Sequence, residues 1–418
     1  MDDRDLLTAL FKAAVAAADP LACLRRHLPN EPKRGRTIVI GAGKGAAQMA
    51  QALETLWPQP LSGVVVTRYG YDCRTQNIEI IEAAHPVPDQ AGLEASARLK
   101  EAVRGLTEDD LVIALICGGG SALLPSPPAG FSLSDEVAVN ELLLASGAPI
   151  SAMNIVRKHF STIKGGRLAA ATAARVVSLI VSDIPGDNPA WVASGPTVPD
   201  TTTRKDALDI VEQYRLRLPE EVLAHLRSTA ADAPHPDDPV FSRHEHHVVA
   251  SAGVSLEAAA RAAQEHGIPA VILSDSIEGE ARDVALVHAA LAREAVLRGR
   301  PFPRPVVLLS GGETSVTLRE KNGRGGRNGE FALALALALD GQPITALAAD
   351  TDGIDGSEDN AGAFIDGTTA RRLRACGLDG RTLLAANDSF SGLKAIGDLF
   401  VTGPTGTNVN DFRAILIR

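Results

Sequence analysis

Four short runs of almost unbroken apolar residues, Thr37–Ile40, Gly63–Thr67, Leu111–Cys117 and Val176–Ser182, recur through the first half of the chain with helix-patterned segments between them. A strand that is apolar at nearly every position has no face to offer water, so it must be covered on both sides. Such strands alternating with helices form parallel sheets held between two helical layers. The first half is therefore expected to be a three-layer α/β/α domain with a doubly wound, mainly parallel sheet.

At 418 residues the chain exceeds what one hydrophobic core usually serves, so two domains are expected. From Ser228 to His246 the sequence turns polar and rich in Pro and His, and beyond it strand and helix patterns resume. The expected strands there are His247–Ala250, Ala270–Leu273, Val306–Leu309, Ser315–Leu318, Leu399–Thr402 and Arg413–Ile417, with a helix from Leu256. We thus expect domains at 1–235 and 236–418, the second also three-layered α/β/α but with a mixed sheet. The opening segment, Leu6 to Leu24, reads as one amphipathic helix, and the alternating Ala/Leu run at 331–339 reads as helix by length and composition.

A net charge of −10 argues against nucleic acid as a partner, although it does not forbid a local basic pocket. The four cysteines, Cys23, Cys73, Cys117 and Cys376, form no CxxC pair and no disulfide framework. The opening Met1-Asp2-Asp3-Arg4-Asp5 is acidic where a signal peptide is basic, and no apolar run reaches membrane-spanning length. These features predict a cytoplasmic, reduced protein without membrane partners.

In open α/β sheets ligands bind beyond the carboxyl ends of the strands, and five glycine- or acid-rich clusters follow predicted strands here. In Gly41-Ala42-Gly43-Lys44-Gly45-Ala46 the glycines let backbone approach a phosphate, the next helix offers free N–H groups, and Lys44 adds a mobile cation. The spacing also fits a loose dinucleotide fingerprint. That reading expects an acid closing the next strand, where Val65-Val66-Thr67-Arg68 has none, though Arg68 could serve a 2′-phosphate. Cys117-Gly118-Gly119-Gly120-Ser121 reads as an anion nest, or as a helix cap with Ser121 as N-cap.

The third cluster, Ser182-Asp183-Ile184-Pro185-Gly186-Asp187 continuing to Ser194-Gly195-Pro196-Thr197, carries two carboxylates. They could hold Mg²⁺, Asp183 could take a hydroxyl proton, or the segment could be a simple turn. The fourth pairs Ser310-Gly311-Gly312-Glu313-Thr314 with Gly323-Arg324-Gly325-Gly326-Arg327-Asn328, where Arg327 is placed to meet an anion at a helix start. The fifth joins Asp350-Thr351-Asp352-Gly353-Ile354-Asp355-Gly356 to Thr402-Gly403-Pro404-Thr405-Gly406-Thr407-Asn408, a set of small polar donors without the glutamate of a calcium loop. His85 stands in a distinctive His-Pro-Val-Pro-Asp setting, while the tract His244, His246 and His247 reads as surface linker rather than metal site.

Taken in order, the stretches GAGKGA, HPVPD, GGGSALL, SDIPGDNPAWVASGPT, LSGGETSVTL, GRGGRN, DTDGIDG and VTGPTGTNVND resemble the glycerate 2-kinase family, whose C-terminal module (about 305–412 here) is called MOFRL. The resemblance implies a kinase that uses ATP and Mg²⁺ to phosphorylate the 2-hydroxyl of D-glycerate, with the site in a cleft between two α/β domains. It implies Lys44 and Arg327 as catalytic residues, with Asp183 as base or metal ligand. Gly41, Gly43, Gly45, Gly118, Gly119, Gly120 and Ser121 are then expected to bind phosphate. Ser194, Asn328, Asp352, Thr405 and Asn408 are expected to line the substrate, and Asp183, Asp187 and Glu313 to supply Mg²⁺ ligands. Three positions depart from the family pattern: Gly329 where glutamine is usual, Cys117 where serine is common, and Ser389-Phe390-Ser391-Gly392 in place of a more aromatic stretch. An NADPH-dependent hydroxypyruvate reductase and a non-catalytic metabolite sensor are the alternative readings, and a homodimer is one assembly left open.

Overall fold

The computed structural model describes residues 1–318 and 323–418, and they divide into two compact units, Pro20–Val249 and a discontinuous one made of Met1–Asp19 with Ala250–Arg418. The expected boundary at 235/236 thus moves to 249/250, and the first residues leave the N-terminal domain. The expected single opening helix is two, α1 (Asp3–Ala17) and α2 (Pro20–Arg25). Pro20 lacks the N–H that would continue α1 and instead begins α2, where that donor is not needed.

The Pro20–Val249 unit holds a six-stranded sheet. Its strands are β1 (Thr37–Ala42), β2 (Leu61–Arg68), β3 (Ile78–Ala83), β4 (Leu111–Cys117), β5 (Arg175–Val181) and β6 (Glu245–Ala250), in the order β3-β2-β1-β4-β5-β6. The strands β1 to β5 pair in parallel. Ile38, Ile40 and Ala42 of β1 pack with Ala95, Leu99 and Val103 of α4 (Gln90–Val103). The alternate residues Val39, Val65, Ile113 and Leu115 are equally buried, because α3 (Ala46–Leu56) covers the sheet from β1, β2 and β4. Short α5 (Gly120–Leu123) and α8 (Arg167–Ala170) complete the layers. A separate apolar cluster joins α6 (Leu133–Ala145), α7 (Ile150–His159), α9 (Arg204–Gln213) and α10 (Glu220–Arg227) through Leu143, Val156, Phe160, Val211 and Leu226.

Strand order reverses beside β1, between β2 and β4, which is the switch point where ligands bind in such sheets. The parallel register aligns Ala42 with Val66 and Ile116, and Cys117 with Val181. The loops that carry Lys44, Gly118 and Asp183 therefore leave the sheet at one level.

The discontinuous unit has a second six-stranded sheet, ordered β13-β12-β11-β14-β9-β7. Its strands are β7 (Ala270–Ser274), β9 (Val306–Gly312), β11 (Ile344–Asp350), β12 (Gly362–Asp366), β13 (Leu399–Phe400) and β14 (Asp411–Ile417), while β8 (Gly279–Glu280) and β10 (Thr314–Ser315) form a two-stranded pair. Within the six-stranded sheet every pairing is antiparallel except β7 with β9, so the expected mixed sheet is found. The expected strand Ser315–Leu318 is only the two residues of β10. One face is covered by α12 (Ala281–Arg298) and α13 (Arg327–Ala338), with α14 (Thr369–Ala375), α15 (Gly380–Ala385) and α16 (Ser389–Ala395) beside them. The other face carries α11 (Ala252–Glu265) and α1, whose Leu6, Leu7, Leu10, Phe11 and Ala14 pack on Leu309, Leu347, Phe412 and Leu416. This packing is why α1 belongs here: each buried Leu is worth about 1.5–3 kcal/mol of apolar transfer.

Candidate active site

Within the Pro20–Val249 unit, the loops after β1 and β4 are sewn together by backbone. Lys44 N donates to Gly118 O at 2.9 Å, Gly45 N to the Cys117 sulfur at 3.2 Å, and Gly43 N to Val66 O at 3.1 Å. Gly43 lies at φ +136, and a side chain there would overlap the Cys117 carbonyl and thiol, so glycine is obligatory. Burial pushes the Cys117 thiol up to about 12, which keeps it protonated and inert. Gly45 caps α3 without a side-chain bond, and a β-carbon on it would meet only the Cys117 sulfur, at 3.8 Å. Backbone is open there for a ligand to approach.

Asp183, His85 and Lys44 all press on the second loop. A β-carbon at Gly118 would overlap the Asp183 carboxylate. One at Gly119, which is in the left-handed region, would lie 3.0 Å from Cγ of Lys44 and 3.1 Å from Nε2 of His85. Burial, then the charges of Lys44 and Arg68, lower the His85 pKa to about 4. The imidazole is therefore neutral near pH 7, and Lys44 is the cation at this loop. Gly120 is packed against the Ala193 methyl group. Ser121 does not cap the helix, as one expectation had it: Gly119 is the N-cap, and the Ser121 hydroxyl meets the Ser194 hydroxyl at 2.9 Å. Asp187 lies in a one-turn helix after β5, partly exposed at φ +51. Arg68 stacks on Tyr71 at 3.8 Å.

The discontinuous unit assembles a second cluster at one end of its sheet. The antiparallel register sets Asp411 opposite both Asp350 and Gly312, so two carboxylates face each other across neighbouring strands. Like charges in that position repel, and Arg327 joins them. Its Nε donates to Asp411 at 2.6 Å, its Nη2 to Asp350 at 2.7 Å and its Nη1 to Glu313 at 2.7 Å. Burial lowers the guanidinium pKa, but the three acids Asp411, Asp350 and Glu313 hold it above its ordinary value. Burial raises Asp350 well above the usual carboxylate range despite Arg327. Burial acts on Asp411 the same way, yet Arg413 and Arg327 keep that carboxyl below its ordinary value.

The start of α13 is held by Asp355, whose carboxylate accepts from Asn328 N at 2.9 Å and Gly329 N at 2.7 Å, and which burial raises to about 6. Sequence reasoning placed Arg327 at an anion; here its donors meet carboxylates. Glu313, expected on a metal, is one of them. Asn328, expected on substrate, is fully buried and donates to Asp411 at 2.9 Å. Asp352 accepts from Ile354 N at 2.8 Å, the Thr405 hydroxyl is bonded to Thr351 O at 2.6 Å, and Asn408 accepts from Asn410 N at 3.0 Å. Each of the three thus has a bond that shapes its own loop. Asp350, Asp355 and Asp411 lie within stretches singled out from the sequence but were given no role of their own. The one signal was the charged pair Asp411 and Arg413 at alternate positions of an otherwise apolar strand.

Among the described residues no three His, Cys, Asp or Glu side chains gather as a metal site, and no helix is long and apolar enough to cross a membrane.

A family model described as a domain of unknown function (DUF4147) matches residues 6–227, and the MOFRL family model matches 306–411. A glycerate 2-kinase of Pyrococcus horikoshii is 41% identical, over 98% of this chain and 96% of that protein. A protein of Agrobacterium vitis provisionally named hydroxypyruvate reductase is 52% identical, over 99% of this chain and 94% of its own length. The crystal structure of a glycerate kinase from Thermotoga maritima superposes with a TM-score of 0.90 at 39% identity, covering 99% of both chains. Near-complete coverage at these identities, together with the module match, places both sheets and both clusters within one lineage: the chain belongs to the glycerate 2-kinase family that carries the MOFRL module.

Proposed function

We propose that the chain transfers the γ-phosphoryl group of ATP to the 2-hydroxyl of D-glycerate, giving 2-phosphoglycerate and ADP. The observation that carries this reading is the meeting of Lys44, His85 and Asp183 on the Gly118–Gly120 loop at the switch point of a parallel sheet. One mobile cation, one carboxylate and a glycine-lined backbone are what phosphoryl transfer asks of a protein, since positioning and electrostatics supply nearly all its catalysis.

The residues fit the reactants. Gly45 leaves backbone open to a ligand, and Gly43 and Gly118–Gly120 let the two loops pack closely beside it, as a triphosphate site needs. Mg²⁺ takes one or two carboxylates and fills its shell with phosphate oxygens and water, so Asp187 would serve without a three-residue cluster, leaving Asp183 as base. Bound ATP would supply the phosphoryl group, and bound Mg²⁺ would neutralise charge on its oxygens. Lys44 holds a phosphate oxygen, and Asp183 orients the glycerate hydroxyl and takes its proton. Arg327 contributes through the partner it can release: the Glu313 side chain is 54% exposed, against 8% for Asp350 and 0% for Asp411. Swinging Glu313 away frees one donor for a phosphoryl oxygen without disturbing the buried pair.

Incubation with ATP, Mg²⁺ and D-glycerate is expected to yield 2-phosphoglycerate by phosphorus NMR. The 3-isomer, or no product, overturns the reading. Hydroxypyruvate with NADPH is expected to show no loss of nicotinamide absorbance.

A further inference from the structure

Four cations crowd the stretch from residue 157 to 167, and three of them are fully engaged. Lys158 pairs with Asp200, and Lys164 with Glu136 at 2.8 Å. Arg167 donates to the carbonyls of Lys158, Lys164, Ala231 and Asp232 at 2.7–3.1 Å. Arg157 differs. Its Nε donates to Asn140 Oδ1 at 2.8 Å and its Nη1 to Asn154 Oδ1 at 3.3 Å, both neutral amides, and no carboxylate among the described residues is within ion-pair distance. The acid whose charge reaches it, Glu136, has its oxygens taken by Lys164 and by Ser126 N. Burial accordingly draws the Arg157 pKa down. Amide oxygens aim a guanidinium but do not neutralise it, and a half-buried cation held this way is completed by an anion.

A hydrogen-bond chain leads from Arg157 to the glycine loop. Asn154 Oδ1 also accepts from the Ser194 hydroxyl at 3.1 Å, and Ser194 meets Ser121 at 2.9 Å. Ser194 and its neighbour Ala193 are held at φ +61 and +53, a left-handed pair of the sort that persists where surrounding structure imposes it.

We propose that Arg157 is a specificity-determining residue that binds the carboxylate of the hydroxy-acid substrate, aimed by Asn154 beside the Ser121–Ser194 pair. The proposal rests on the kinase reading for its substrate class. It explains why three uncharged groups, Asn140, Asn154 and Ser194, gather where acids would otherwise neutralise the arginine.

The test compares D-glycerate with D-glyceramide, its uncharged amide counterpart, in the intact enzyme. Wild type is expected to favour glycerate by about 100-fold or more in kcat/KM. Arg157→Gln is expected to raise the glycerate KM by about 100-fold and to bring the two substrates close to parity, with the KM for ATP within roughly threefold of wild type. Asn154→Asp guards against a folding defect, because it hands Arg157 an internal counterion. If Arg157 serves only packing, Asn154→Asp leaves the preference for glycerate intact; if Arg157 binds substrate, the new carboxylate competes and glycerate affinity falls. Retained discrimination in either folded variant overturns the proposal. Calorimetric titration with D-glycerate separates the two claims: binding without transfer sinks the kinase reading, and the loss of that binding in Arg157→Gln still supports the arginine. No binding to wild type sinks both.

Discussion

The Nε–H of Arg327 donates to Oδ1 of Asp411 at 2.6 Å, tying the first residue of helix α13 to the first residue of strand β14. Asp411 is completely covered, and its other oxygen accepts from Thr314 N at 3.0 Å and from Arg413. The guanidinium therefore stands on a rigid base while its outer donor meets the half-exposed Glu313.

Asp411→Asn should separate these roles. Removing the charge leaves buried Arg413 without its carboxylate, while Arg327 keeps Asp350 and Glu313, and breaking a buried pair in this way costs about 3–5 kcal/mol. The urea midpoint is expected to fall accordingly, with kcat lowered more than KM. Wild-type kcat in a folded variant would show that Arg327 does not depend on Asp411.

Lys44→Ala is expected to fold as wild type and to lose about 10³-fold or more in kcat. Arg327→Ala should lose activity comparably but carries a second signature. Without its counterion Asp350 rises still further, so the folded state binds a proton that the unfolded chain releases. Stability in that variant is therefore greatest at low pH and falls as pH rises. Denaturation at pH 5 and pH 8, beside single-turnover kinetics, checks both statements.

Gly118→Ala adds one methyl group where the Asp183 carboxylate already lies. Displacing that carboxylate by even 1 Å is expected to cost about 10²-fold in rate, with little change in thermal midpoint. Gly105→Ala is the stability control: a side chain there meets nothing within 4 Å, though the position sits at φ +67.

Much of the Pro20–Val249 site was legible from sequence because its determinants are local. Buried parallel strands announce themselves as apolar runs, and the glycines and Asp183 follow them within a few residues. Strand β3 escaped because Glu79 and Glu82 interrupt its apolar run. The Arg327 cluster depends instead on register. Asp350 and Asp411 become neighbours only when β11 and β14 pair, and nothing near either residue encodes that meeting. The same holds for α1. Its amphipathic pattern says that one face must be buried, but the sheet that buries it comes mostly from strands more than 250 residues away.

His288 offers a test of pH dependence away from the site. Its Nδ1 is 2.9 Å from Val284 O and its Nε2 2.9 Å from the Ser310 hydroxyl, and burial, then Arg413, lowers its pKa to about 4. The folded value is depressed below the unfolded one, near 6.5. The unfolded chain therefore binds the extra proton, and stability present above pH 6.5 is lost as pH falls toward 4, by on the order of 3 kcal/mol. His288→Gln is expected to flatten that slope. Urea midpoints between pH 7 and 4.5 provide the measurement, and an unchanged slope would count against the histidine.

Strand β14 sits in the middle of its sheet, between β11 and β9, yet it is translated after every other strand of that sheet. On the ribosome, β9 and β11 must wait with their facing edges unpaired until it arrives, whereas the uninterrupted Pro20–Val249 stretch can close its own sheet much earlier. The anchor of Arg327 is therefore the last piece delivered. A nascent chain stalled before residue 411 would carry a finished Lys44 loop and no held arginine, with two open strand edges for chaperones to guard.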